Sequence, residues 1–127
     1  QQKLKIIEME IKKTGKLFSF CCMAPAIMKN KSLNEIKFFE KAGSNIGLLF
    51  QIADDLIDCK GSSKIAGKKT GKDKKKGKAT LISLLGYKNA IKYSYKIKNK
   101  IVSDLSKYGS RANNINETLN YILTRNK

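Results

Sequence analysis

The 127-residue chain has no histidine, no tryptophan, one proline, three cysteines and only ten acidic residues against 27 Lys and Arg. Each shortage closes off a class of protein. With no histidine and cysteines only at Cys21, Cys22 and Cys59, there is neither a familiar zinc spacing nor a disulfide framework, so free thiols in a reducing cytosol are expected. No run of about twenty uncharged apolar residues and no signal peptide can be found, so nothing in the sequence is expected to span a membrane. Strand-like segments, internal repeats and sustained heptads are also absent. What is present is apolar spacing of helical period beginning at Leu4, Ile7 and Ile11, and the chain reads as all-α. Because that spacing starts almost at once after Gln1, the sequence reads as a fragment entered in mid-fold.

The scarcity of acids leaves a net charge of +17. That excess invites a polyanion partner, nucleic acid or an anionic membrane surface. It reads better as a compositional bias, because lysines occur in nearly every segment of a chain rich in Ile and Asn.

The few acids are informative by position. Three of the ten, Asp54, Asp55 and Asp58, fall within five residues. On a helix turning about 100° per residue, Asp54 lies at about −60°, Asp55 at about +40°, Asp58 at about −20° and Gly47 at about −40° from Gln51. These residues therefore share one face. Ile46, Leu49, Phe50, Ile52, Ala53, Leu56 and Ile57 fill the other directions, which makes the helix apolar around most of its circumference and suited to burial. Buried carboxylates repel one another and resist desolvation, and a divalent cation is the usual means of keeping such a group charged. An all-oxygen donor set favours Mg²⁺, Mn²⁺ or Ca²⁺, and Mg²⁺ is commonly held by one or two carboxylates, waters and substrate phosphates. The plain alternative is a solvated acidic helix end.

Taken in order, residues 3–24 read as a helix that Pro25 ends or kinks, with Lys13, Thr14 and Gly15 interrupting its apolar pattern. Ser32 followed by Glu35 forms a capping-box pattern, so the next helix starts at Leu33 and runs to about Cys59, with Gly61 as its stop. Its length and sidedness belong to the centre of a bundle. Gly43 and Gly47 lower its helix propensity but permit close approach of a backbone or a ligand. Residues 60–79 read as a Gly/Lys-rich loop that lacks the G-x-x-x-x spacing and strand-to-helix setting of a nucleotide P-loop despite G-K-K-T at 67–70, and that is cationic enough to neutralise phosphate oxygens beside a metal. Further helices are expected from near Thr80 to Leu85, from about Asn89 to Tyr108, and over residues 115–124.

The combination F-Q-I-A-D-D-L-I-D at 50–58, A-G-K-K-T-G-K-D at 66–73 and G-K-A-T-x-x-x-L-L-G at 77–86, with K-T-G at 13–15 and a terminal Y-I-L-T-R-N-K, resembles the trans-isoprenyl diphosphate synthases, the farnesyl and geranylgeranyl diphosphate synthase type. The resemblance extends over essentially the whole chain, in order. It implies the C-terminal part of an isoprenoid-synthase helical bundle over 1–127, with 60–79 as an active-site loop. The implied chemistry joins an allylic diphosphate to isopentenyl diphosphate after Mg²⁺-assisted ionisation to a carbocation, with Mn²⁺ as a substitute ion. By the same resemblance Asp54 is the principal metal ligand, while Asp55 and Asp58 orient the cluster or bind through water. Lys13 and Lys68 hold the allylic diphosphate, Lys78 assists the diphosphate side, and Thr14 and Gln51 set oxygen dipoles beside the developing cation.

A homodimeric parent in the cytoplasm is implied, or an organellar one if a targeting segment preceded residue 1. The family's first aspartate-rich motif and isopentenyl-binding residues have no counterpart in these 127 residues, so the chain alone is expected to be inactive. Two other readings remain. A basic helical nucleic-acid-binding module accounts for the charge but leaves three clustered aspartates unexplained, and nucleic acid is not the expected partner. A noncatalytic relative that regulates an active synthase would carry a damaged first motif.

Overall fold

A computed structural model describes residues 1–66 and 80–125, the side chains of 62–66 excepted. Among the described residues there is no strand. The elements are α1 (Gln2–Glu10), a π-helical segment (Ile11–Gly15), α2 (Lys16–Met28), α3 (Leu33–Ala66), α4 (Leu81–Leu85), α5 (Tyr87–Leu105), a 3₁₀ segment (Ser106–Ala112) and α6 (Asn113–Thr124). The all-α expectation is met. No helix among the described residues is long and apolar enough to cross a membrane.

The central element is α3, which packs against α1, the π segment, α2, α4, α5 and α6. It starts where the capping pattern puts it, with Ser32 Oγ accepting the Glu35 N–H at 3.2 Å. From α3 the residues Ile46, Leu48, Leu49, Ile52 and Ala53 enter the main core, where they meet Leu81, Ile97, Ile101, Leu105 and Leu119. Leu49 and Leu119 are wholly excluded from solvent. Each such side chain contributes about 2 kcal/mol of burial.

Two helix ends depart most from the sequence-based expectation. First, α3 continues through Ala66 rather than stopping near Cys59, so residues 60–66 of the expected loop are helical. A lone interior glycine costs only about 1 kcal/mol relative to Ala. Gly61 also lacks the left-handed backbone of a terminating residue, so nothing there breaks the ladder. Second, Pro25 lies inside α2, which runs on to Met28. The missing donor at Pro25 leaves the carbonyl of Cys21 without its helical partner, and Cys21 is exposed, so water can satisfy it. The actual stop is Asn30, at φ 53°, flanked by Asn30 N–H to Ile27 O and Lys31 N–H to Ala26 O, both 3.0 Å. That is a Schellman end with asparagine in the left-handed position.

The π segment was visible in the sequence only as the break at Lys13, Thr14 and Gly15. Its wider turn shifts the phase of the helix by one residue, a change found in many proteins at functional positions. The predicted start near Thr80 holds: Thr80 Oγ1 accepts from Ser83 N–H at 3.1 Å while Ser83 Oγ accepts from Thr80 N–H at 3.0 Å. Helices α5 and α6 each begin two residues before their expected starts, and the turn between them passes through Gly109 at φ 57°.

Candidate functional site

The site is assembled where α3 crosses the π segment and α2. A Cβ built on Gly43 would lie 2.5 Å from Phe18 O and 2.7 Å from Ser19 Cα, and one on Gly47 would lie 2.7 Å from Gly15 Cα. The two glycines therefore serve backbone approach, one of the two uses open to them from the sequence. Ser19 Oγ locks the crossing by donating to Glu40 O at 2.9 Å, and the Phe18 and Phe50 rings stack at 5.3 Å. With the helices this close, Thr14 on the π segment meets Gln51 on α3.

Thr14 Oγ1 donates to Gln51 Oε1 at 2.9 Å, and Gln51 Nε2 donates to Asp55 Oδ1 at 3.2 Å. The direction of this relay follows from chemistry. An ionised carboxylate only accepts, so the amide nitrogen must face Asp55 and its oxygen must face Thr14. Asp54 points to a different partner: Arg125 Nη2 lies 2.5 Å from Asp54 Oδ1, 71 positions away in sequence. Asp58 is exposed one turn farther on. Lys13 is also exposed, close enough for its charge to act on both Glu10 and Asp55. Thus Lys13, Thr14, Gln51, Asp54, Asp55 and Asp58 are gathered around one crossing, whereas Lys68 and Lys78 lie outside the described residues.

Two residues at the site were not anticipated. Glu10 is buried at the end of α1 beside Asp55, and its Oε2 has no hydrogen-bond partner. Burial, then the charge of Asp55 and a shared hydrogen bond with it, push the Glu10 carboxyl up to about 8 despite the opposing charge of Lys13. Asp55 is raised as well, first by burial and then by the charge of Asp58, against the hydrogen bonds from Gln51 and Glu10 and the charge of Lys13. With both carboxyls raised, the pair holds a proton more readily than two ordinary carboxyls would. Arg125 is the second such residue. Its guanidinium carbon stands 4.6 Å from the Phe50 ring centre, and its side chain is only 18% exposed.

Among the described residues no three carboxylates or thiols converge into a ready-made metal cage. The donor chemistry nevertheless suits a hard divalent cation held at few points. The Asp54 side chain is 45% exposed and Asp58 is exposed too, both are oxygen donors on one helix face, and Asp55 shares that face. Such a set supplies one or two ligands and leaves the remaining positions to water and phosphate, the manner in which Mg²⁺ is often bound.

Comparison with known proteins gives this geometry its context. The sequence profile described as polyprenyl synthetase matches residues 3–122. Farnesyl diphosphate synthase of Bacillus subtilis (strain 168) is 36% identical over 98 residues, covering 75% of this chain and 33% of the relative. Farnesyl diphosphate synthase of Micrococcus luteus is 32% identical over 117 residues, covering 92% and 40%. Geranylgeranyl diphosphate synthase of Cyanophora paradoxa is 29% identical over 116 residues, covering 91% and 39%. The chain thus spans about a third to two-fifths of the length of these relatives. No solved structure matches it significantly.

Proposed function

The chain belongs to the polyprenyl synthetase family, and on that premise we propose that it forms one wall of a prenyltransferase site that condenses an allylic diphosphate with isopentenyl diphosphate. The observation that carries this reading is the Thr14–Gln51–Asp55 relay with Asp54 beside it, which gathers the lysine, threonine, glutamine and aspartates of two distant motifs at one helix crossing.

Asp54, with Asp55 and Asp58 in support, would hold Mg²⁺, which neutralises the leaving diphosphate and so favours rupture of the allylic C–O bond. Lys13 neutralises further diphosphate charge from the π segment, and Lys68 and Lys78 do so by resemblance alone. Thr14 and Gln51 act on the organic half of the substrate. Their hydroxyl and amide oxygens are held in fixed directions by the relay and stabilise positive charge that develops on the allylic carbon, with no reorganisation at the moment of reaction. Asp55 is the anchor of that orientation.

Carboxylates and isopentenyl-binding groups from the other wall are needed for turnover, so the 127 residues alone are expected to be inactive. A homodimeric, cytoplasmic parent protein accompanies this reading as an expectation of the resemblance. A chimaera in which this chain replaces the matching segment of the Bacillus subtilis farnesyl diphosphate synthase tests it. Condensation of dimethylallyl diphosphate with radiolabelled isopentenyl diphosphate in Mg²⁺ is expected from the chimaera and not from the chain by itself. Robust turnover by the isolated chain, or a well-folded chimaera without any, would overturn the proposal.

A further inference from the structure

Arg125 follows the last turn of α6 with extended backbone, at φ −61° and ψ 142°, and its N–H still donates to Tyr121 O at 2.9 Å. From that helix end its side chain reaches across to α3, stacks on Phe50 and contacts Asp54 Oδ1 at 2.5 Å. The guanidinium is not fully satisfied there, because Nε is buried with no acceptor. A finished structural ion pair would place acceptors around the remaining donors, since an unpaired buried N–H is costly. What Arg125 does supply is a positive charge on the very oxygen set that the proposed cation would use.

Resting on the reading of Asp54 as a metal ligand, we propose that Arg125 is an internal counter-cation for Asp54, occupying that carboxylate until a divalent cation displaces it, so that the two compete for one group. The competition has a simple sign. Removing the guanidinium frees Asp54 and lifts a local positive charge, so a metal ion binds more tightly. A purely structural clasp predicts the reverse, because its loss would loosen the α6 end against α3 and disorder the ligand.

Mn²⁺ binding to the 127-residue chain, followed by loss of the free-ion electron paramagnetic resonance signal, measures this without any turnover. R125Q is expected to bind Mn²⁺ about tenfold more tightly than the unaltered chain, the scale of one charge-assisted hydrogen bond. D54N is expected to weaken binding, and D54N/R125Q to show no gain over D54N, because the two side chains act on the same contact. R125K keeps the charge but loses the planar stacked fork, so its gain should be about threefold. Should R125Q lose its helical circular dichroism, R125K carries the same comparison. An unchanged or weaker affinity in the arginine variants, with dependence on Asp54 retained, refutes the counter-cation and leaves the metal assignment standing. Mn²⁺ binding indifferent to D54N in both backgrounds refutes the metal assignment and the counter-cation with it.

Discussion

Replacing Gly43 with alanine perturbs the crossing on which the candidate site depends, and the size of the effect follows from the distances. The new Cβ would fall 2.5 Å from Phe18 O, 2.7 Å from Ser19 Cα and 2.9 Å from Phe18 C, all backbone atoms that no rotamer change can move. Overpacking of this kind costs about 3 kcal/mol at the upper end of its usual range. Alanine returns about 1 kcal/mol of helix propensity, so the net loss should be about 2 kcal/mol. The control is built into the same helix: Gly61 is helical with nothing within 4 Å of an added Cβ. Gly61→Ala should therefore raise stability by up to about 1 kcal/mol. Thermal unfolding followed by circular dichroism should show Gly43→Ala lower in Tm by roughly 5–10 °C and Gly61→Ala higher by a few degrees. If both alanines shift Tm in the same direction, the close approach at Gly43 is not the constraint described.

The remaining predictions concern the charged and polar groups of the site. Glu10 ionises near its ordinary value when unfolded but only at about 8 when folded, so the unfolded chain binds fewer protons between those limits and stability falls as pH rises from about 5 to 8. Glu10→Gln should remove that slope and leave the chain more stable than the parent at pH 8, as read from denaturant midpoints across pH; an unchanged slope would contradict the buried pairing with Asp55. Gln51→Ala breaks both hydrogen bonds of the relay, and in the chimaera it should lower kcat by about 10²-fold, the cost of losing one preorganised group. A change confined to KM would instead assign Gln51 to ground-state binding.

Much of the fold could be read from the sequence because its signals were local. Ser32 set the start of α3, the apolar circumference from Ile46 to Ile57 set its central position, and Gly43 with Gly47 marked the face where another backbone comes close. The helix ends were less legible. Gly61 and Pro25 are breakers by propensity, yet each costs little where the ladder has other support, and the true end of α2 rests on the left-handed Asn30.

The site divides in the same way. The shared face of Asp54, Asp55 and Asp58 follows from helix geometry, but the meeting of Thr14 with Gln51 requires a crossing 37 positions apart in sequence. The π segment left only an interruption at Lys13 to Gly15, since one extra residue in a turn alters phase without altering composition. Glu10 lies in an alternation of charged and apolar residues that looks solvated, and nothing nearby announces its burial. Arg125 joins Asp54 only through the docking of α6 onto α3, a tertiary fact with no local signal.

The central claim is that the aspartate face of α3 works as a metal and diphosphate wall for prenyl transfer. Its most direct test is the turnover number of the active chimaera before and after Asp54→Ala, measured with saturating Mg²⁺ and both substrates. A fall of about 10³-fold or more with the helical spectrum intact is the expected result, in keeping with loss of a group that stabilises charge in the transition state. Turnover within a few-fold of the unaltered chimaera would contradict the claim.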